Sequence, residues 1–197
     1  MAYAVIVGLI LSLIRVYLSQ NLELVIPNLQ LTGLVPVAFL PQFFAFYAPM
    51  FTGNASAYWI PYGLVTSQAL LLIFMGRNLK QAGFWLLGLG LGLNLLVISL
   101  NGGFMPITPE MAAKLFQLPL EEVGQIGQRL GTSKDIILEA SDTNLWILSD
   151  RFFLSFPNLI PYRVAYSIGD VLIVIGAFWF TWLLGQKKTP QQLAAEG

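Results

Sequence analysis

The sequence predicts an all-α integral membrane protein, a polytopic helix bundle of about five transmembrane helices with an extracytoplasmic helical cap between helices four and five. Two observations predict this class. Of the 197 residues, 56% are hydrophobic and 10% are charged, whereas about a quarter of the residues in soluble domains are charged. Five hydrophobic runs also approach the ~20 residues that cross ~30 Å of hydrocarbon. We therefore expect a single integral membrane domain over residues 1–197.

The five apolar runs are the predicted spans, and they lie near residues 2–18, 33–50, 62–76, 82–100 and 163–185. The second run contains Pro36, Pro41 and Pro49. Because proline removes a backbone donor and kinks or breaks a helix, a kinked or re-entrant second segment remains an alternative to a complete span.

The predicted outer cap occupies residues 101–162, and a cytoplasmic tail is expected at 186–197. Thr108 followed by Pro109 is typical of a helix start, since threonine caps the first turn and proline fits the first helical position. Three helices are expected in the cap, over 109–117, 119–130 and 134–140.

Basic residues predict the orientation. Arg15 closes the first predicted helix, Arg77 and Lys80 lie between the third and fourth, and Lys187 follows the fifth. With five spans these positions share one side of the membrane, and short cytoplasmic connections are rich in Lys and Arg. The sequence therefore predicts an N-terminus outside the cell and a C-terminus inside it.

Residue counts exclude several classes of function. The chain has no cysteine and no histidine, so it cannot build a disulfide, a Cys/His zinc site, a histidine-ligated haem or a Ser-His-Asp triad. We therefore predict no metal site, no catalytic site and no cofactor. Ten basic residues balance ten acidic ones, which gives no basic surface for nucleic acid.

Polar residues within the predicted spans lie at similar depths. Gln42, Gln68, Asn94 and Asp170 are each on a different predicted helix, about 10 Å below its outer end at ~1.5 Å per residue. Ser67 and Ser167 lie near the same level, and Arg163 lies seven residues before Asp170 on about the same face of the fifth predicted helix. One interpretation is an outward-facing polar pocket centred on Asp170. The other is a buried hydrogen-bond network that fixes how the helices assemble.

A run of alternating glycines, Gly88 to Asn94, contains Gly88 and Gly92 at GxxxG spacing. The run lacks the strand-to-helix setting of a dinucleotide fingerprint, so it predicts close helix packing instead. Small residues on two other predicted helices offer it partners: Gly8, Ser12, Gly169 and Gly176.

Three stretches, "NGGFMP", "SDTNLWILSDRF" and "YSIGDVLIVIG", carry a resemblance over most of the chain. In this order and spacing they resemble a bacterial multi-pass membrane protein family known only as a domain of unknown function. The matching positions are Asn101, Gly102, Gly103, Met105, Pro106, Thr143, Leu148, Asp150, Ser167, Gly169 and Asp170. The resemblance implies a bacterial cytoplasmic (inner) membrane protein and no particular activity. It also implies that the three stretches meet at the outer face, where Asn101 and Asp150 join the Asp170 layer.

These observations leave more than one function open. We expect a non-enzymatic accessory or scaffold subunit of a larger membrane complex, with membrane lipids and membrane proteins as partners. The alternative is binding or transport of a small polar or amphipathic molecule at the Asp170 pocket. A pigment or a quinone on the surface is a further candidate ligand. An intramembrane enzyme that uses Asp150 and Asp170 is disfavoured, since no nucleophile with an activating base is evident.

Overall fold

The computed structural model describes residues 2–19, 22–52, 59–156 and 162–187. Its α-helices are α1 Ala2–Leu18, α2 Leu34–Thr52, α3 Ile60–Arg77, α4 Phe84–Leu100, α5 Pro109–Phe116 and α6 Ile168–Trp182. Its strands are β1 Leu22–Leu24, β2 Met105–Ile107, β3 Asp135–Ile137, β4 Phe152–Phe156, β5 Tyr162–Tyr166 and β6 Gly185–Lys187. We call α1 to α4 together with α6 the helix layer, and residues 101–166 the connecting segment.

The prediction of an all-α bundle with five transmembrane helices is wrong. The described chain contains three two-stranded sheets, β1 with β6, β2 with β3 and β4 with β5. Within the described residues, one helix, Ile60–Arg77, combines the length and the apolar composition of a membrane span. The apolar helices Phe84–Leu100 and Ile168–Trp182 are shorter. The fifth predicted helix loses its first turns because residues 162–166 form a strand.

The α4/α6 contact is the closest in the helix layer. A Cβ atom on Gly176 would lie 2.7 Å from the carbonyl oxygen of Gly83, and one on Gly90 would overlap the carbonyl oxygen of Gly169. Gly88 and Gly92 instead face α3 at ordinary distances, 3.6 Å to Met75 and 4.0 Å to Leu72. The predicted close packing is therefore present, but pairs of glycines seven residues apart, not the GxxxG pair, provide it.

The ends of α1 and α6 meet on the side of the layer away from the connecting segment. A Cβ on Gly8 would clash with Thr181 of α6, so the two helices are also close here. Arg15 donates to the carbonyl oxygen of Gly185 and lies 4.7 Å from the centre of the Trp182 ring. The antiparallel pair β1/β6 then joins the residues that follow the two helices.

Of the three helices predicted in the connecting segment, one is present and the other two predictions are wrong. Helix α5 begins after Thr108, whose hydroxyl accepts a hydrogen bond from the Met111 amide, as expected for an N-cap. Residues 119–130 contain only the 3₁₀ turn Leu120–Glu122, because Gly124 and Gly127 adopt positive φ angles of 120° and 84° and end any helix. The expected helix 134–140 is the strand β3, which pairs in parallel with β2.

Arg163 is placed differently from its prediction. It lies on β5, opposite Ser155 of β4 in an antiparallel hairpin, and is not on a helical face with Asp170. The aromatic and β-branched residues of these two stretches favour strands. Helix α6 begins only at Ile168, where Ser167 and Asp170 form a capping box.

Candidate functional site

Asn94, Ser167 and Asp170 form a closed hydrogen-bond network between α4 and the N-terminus of α6. The Asn94 amide donates to Asp170 Oδ1 at 3.0 Å, and the Ser167 hydroxyl donates to Asn94 Oδ1 at 2.8 Å. The Ser167 hydroxyl accepts from the Asp170 amide at 3.0 Å, and Asp170 Oδ2 accepts from the Ser167 amide at 3.1 Å. Every polar side-chain atom of the three residues therefore has a partner, and all three are buried.

The closed network depends on the glycine contact beside it. A Cβ on Gly169 would overlap Asn94 Oδ1, so only glycine lets the Asn94 side chain reach Ser167. Asp170 also occupies the first turn of α6, where the helix dipole favours a negative charge. The structure thus brings together Asn94, Ser167 and Asp170 of the predicted polar layer.

Gln68 and Ser67 lie at the same level on α3 but do not join this network. Val65 packs against the cluster that contains Val97, and Leu72 faces Gly92. This antiparallel register places Gln68 level with Asn94. Gln68 is 7% exposed and Ser67 is fully buried, yet Gln68 Oε1 and Ser67 Oγ have no hydrogen-bond partner within the described chain.

Gln42 is the residue of the predicted polar layer that has the fewest contacts with the others. It lies on α2, which packs against α3, and its side chain is only partly buried. No hydrogen bond between described residues joins it to Asn94, Gln68 or Asp170, so the predicted four-residue layer is not continuous.

Asn101 joins the C-terminus of α4 to the connecting segment. Its side-chain amide donates to the carbonyl oxygens of Val97 at 2.8 Å and Asn144 at 3.0 Å, and its Oδ1 accepts from the Asn144 amide at 2.9 Å. Asn144 returns a hydrogen bond to Leu100. Asn101 is therefore placed as a structural clamp, separate from the Asp170 network.

Asp150 belongs to a second polar cluster, with Lys134 and Asp135 of the β3 region. Lys134 Nζ lies 2.5 Å from Asp150 Oδ2 and 3.0 Å from Asp135 Oδ1. The Asp150 side chain is 1% exposed, and its amide donates to the carbonyl oxygen of Pro106. Its second oxygen, Oδ1, is buried without a partner within the described chain.

The charges of this cluster are unbalanced. Burial raises the pKa of Asp150 to about 7; Lys134 opposes this change, and the negative charges of Asp135 and Asp170 add to it. Burial lowers the pKa of Lys134, but the charges of Asp135, Asp150 and Asp170 outweigh that effect and raise it. Burial therefore favours the neutral form of Asp150, while the neighbouring carboxylates favour the charged form of Lys134.

The three sequence stretches do meet in the structure. Leu148 packs against a cluster formed by Val97, Ile98 and Met105, and the Asp150 amide bonds Pro106. Asp170 is linked to this region by the charge interactions with Lys134 and Asp150. We did not predict Lys134 from the sequence, because no periodic or motif signal pairs it with Asp150, sixteen residues away along the chain.

The two clusters differ in how many of their buried polar groups are hydrogen-bonded. Within the described ranges, no group of three or more His, Cys, Asp or Glu residues is arranged to hold a metal ion. Each polar side-chain atom of the Asp170 network already has a partner within the network. The Asp150 cluster and Gln68, by contrast, present buried acceptors that the described chain does not satisfy.

Comparison with known proteins assigns the chain to a family. No curated protein and no solved structure matches the chain. The model of one family, described as a family of unknown function (DUF5317), matches residues 26–182. This range contains both polar clusters, the connecting segment and four of the five helices of the helix layer. The chain therefore belongs to the DUF5317 family.

Proposed function

We propose that the chain is a non-enzymatic, membrane-embedded protein that acts as an accessory or scaffold subunit of a larger membrane complex. The observation that carries this proposal is an inverted distribution of side chains in the helix layer. Apolar side chains on the outside of the helices are exposed, while polar side chains lie inside. Such an arrangement is costly in water and favourable in hydrocarbon.

Several helices contribute to the apolar exterior. Large hydrophobic residues exposed by between 47% and 55% include Ile6, Ile10, Leu13, Phe39, Leu40, Phe43, Leu89, Leu96 and Ile175. Six polar residues of the helix layer are less than 10% exposed: Ser12, Ser67, Gln68, Asn94, Asp170 and Thr181. So many exposed large apolar side chains on one layer of helices favour contact with lipid or with a neighbouring membrane protein.

The predicted orientation remains part of the proposal. The guanidinium of Arg15 lies beside the C-terminal end of α6, and Arg77 closes α3. Asn78, next to Arg77, bonds Gln30 just before α2. Basic residues at one end of the layer support a bacterial cytoplasmic membrane location with the N-terminus outside and the C-terminus inside.

The closed Asn94, Ser167 and Asp170 network supports a scaffold over a transporter. This network pairs each of its polar side-chain atoms internally and joins α4 to the start of α6, as a structural contact between helices does. Buried polar contacts of this kind hold helices together in an apolar environment. Membrane lipids and membrane proteins are the proposed partners, and a pigment or a quinone is a further candidate for the apolar surface.

Two experiments test the proposal. The protein should remain in the membrane fraction after alkaline carbonate extraction, because its apolar surface needs hydrocarbon; release into the supernatant would contradict this. Native mass spectrometry after mild detergent extraction should then find the chain together with other membrane proteins. Recovery of only the isolated chain, with its lipids retained, would contradict a subunit role.

The unpaired groups of α3 favour one alternative, binding or transport of a small polar or amphipathic molecule beside the Asp170 network. Gln68 Oε1 and Ser67 Oγ are buried acceptors that a ligand with a hydroxyl or amine would satisfy. Gln68→Leu should abolish a ligand-induced thermal shift if this alternative holds. Ser99→Ala, at an exposed position of α4, is the matched control.

A further inference from the structure

Asp150 lies where the connecting segment rests on the helix layer. Its amide donates to the Pro106 carbonyl oxygen of β2 at 3.2 Å. Two residues earlier, Leu148 packs against Val97 and Ile98 of α4. Displacement of Asp150 would therefore break this contact with β2 and loosen the adjoining 3₁₀ turn Trp146–Leu148 on α4.

The two oxygen atoms of the Asp150 carboxyl group differ in their hydrogen bonding. Oδ2 is paired with Lys134, whereas Oδ1 is buried with no donor within the described chain. A buried anionic oxygen without a hydrogen bond costs considerably more free energy than a buried neutral group. Lys134 thus stabilises the carboxylate through Oδ2, and the buried, unpartnered Oδ1 is the part of the group whose environment favours protonation.

The charged neighbours add to this preference. The titratable groups that act on Asp150 are Lys134 and Asp135 from the β3 region and Asp170 from α6. The amides of Asn94 and Asn101 on α4 are neutral and donate to Asp170 and to the Asn144 carbonyl oxygen. The guanidinium of the adjacent Arg151 stacks 4.2 Å from the Trp146 ring centre. Two carboxylates therefore oppose a single ammonium group around Asp150.

We propose that Asp150 is a proton-dependent latch, which in its protonated form holds the connecting segment on the helix layer and in its ionised form loosens it. Burial raises the pKa of Asp150 from 3.8 to about 7 when the latch is closed. In an opened state the carboxyl group meets water and returns toward its ordinary value. The closed state therefore binds the proton more tightly, and its advantage is complete below pH 3.8 and is lost as the pH rises to about 7.

Hydrogen exchange of the full-length protein in detergent tests the latch. After correction for intrinsic rates, the exchange rate at β2, β3 and residues 146–150 should rise with pH, by up to about tenfold per pH unit, until neutral pH is reached. Above neutral pH the rate should no longer change. Asp150→Asn, which mimics the protonated group, should remove this dependence. Asp142→Asn removes an exposed carboxylate from the same segment and should keep it.

Infrared spectroscopy tests the protonation separately. The unmodified protein should show a protonated carboxyl C=O band that disappears as the pH rises through about 7, and Asp150→Asn should lack it. The proposal is overturned if no such band titrates near neutral pH. It is also overturned if corrected exchange is independent of pH, or if Asp150→Asn and Asp142→Asn behave alike.

Discussion

The two polar clusters of this protein use the same kinds of groups in opposite ways. In the Asn94, Ser167 and Asp170 network, each polar side-chain atom has a partner inside the network. In the Lys134 and Asp150 cluster, one carboxylate oxygen is paired at 2.5 Å and the other is buried without a partner. Both sites are buried, so burial alone does not distinguish them.

The comparison separates a structural role from a responsive one. A satisfied network gains stability from each hydrogen bond and has no group that a small change of pH would release. A partly satisfied carboxyl group retains a free-energy penalty that a proton relieves. We therefore expect changes in the first cluster to alter stability at all pH values, and changes in the second to alter mainly the response to pH.

Asn94→Leu should have the largest effect. It leaves Asp170 Oδ1 without its donor and the Ser167 hydroxyl without its acceptor, in a site where water is excluded. We expect a loss of about 2–4 kcal/mol in the free energy of unfolding, since two buried polar groups lose a partner. Reversible unfolding in mixed micelles measures it. A loss below about 0.5 kcal/mol would show that the network does not hold α4 against α6.

Gly90→Ala tests the close helix contact that brings the network together. The added methyl group would meet the main chain of Gly169, which has little freedom to move. We expect destabilisation of about 1–3 kcal/mol from overpacking. Gly92→Ala is the matched control on the same helix, because its Cβ meets only Leu72 at 4.0 Å. Equal melting temperatures for the two variants would contradict the α4/α6 seam.

Asn101→Ala should have a moderate effect that is confined to the connecting segment. It removes two hydrogen bonds between Asn101 and the main chain of Asn144. We expect a loss of about 1–2 kcal/mol and faster hydrogen exchange near residue 144, with α6 unchanged. Ser99→Ala, two residues earlier and exposed, should leave both measurements unaltered. Faster exchange throughout α6 would show that the two regions are not separable.

Of these variants, Lys134→Met should change the free energy of unfolding least. This holds below neutral pH, where Asp150 is protonated. Its main effect is on titration: removing the positive charge of Lys134, which lowers the pKa of Asp150, should move that pKa above its present value of about 7. Infrared titration of the carboxyl C=O band follows the change. A midpoint that falls, or does not move, would contradict the charge assignment.

Sequence reasoning found much of the helix layer because long apolar runs have few alternative conformations. Helices α1 to α4 lie within two residues of the predicted limits at each end. It failed for the fifth predicted helix, where the aromatic and β-branched residues of 162–166 pair with β4. The spacing of Ser167 and Asp170, which form a capping box in the structure, is the sequence signal that could have located the start of α6.

The connecting segment was harder to predict for a physical reason. Its strands contain only three residues each in β2 and β3, and their parallel pairing joins residues thirty positions apart. No local pattern encodes such a contact. The partners Lys134 and Asn144 were missed for the same reason, whereas Asn94, Ser167 and Asp170 were found because polar residues in apolar helices are conspicuous.

The most direct test of the central proposal is the environment of the exposed apolar side chains. The chain contains no cysteine, so single cysteines can be spin-labelled without background. Leu96 on α4 and Ile126 in the connecting segment are exposed by 47% and 49%. In lipid bilayers, a label at Leu96 should be accessible to oxygen and protected from a water-soluble nickel complex, and a label at Ile126 should show the reverse. High accessibility of Leu96 to the nickel complex would contradict a membrane-embedded helix layer.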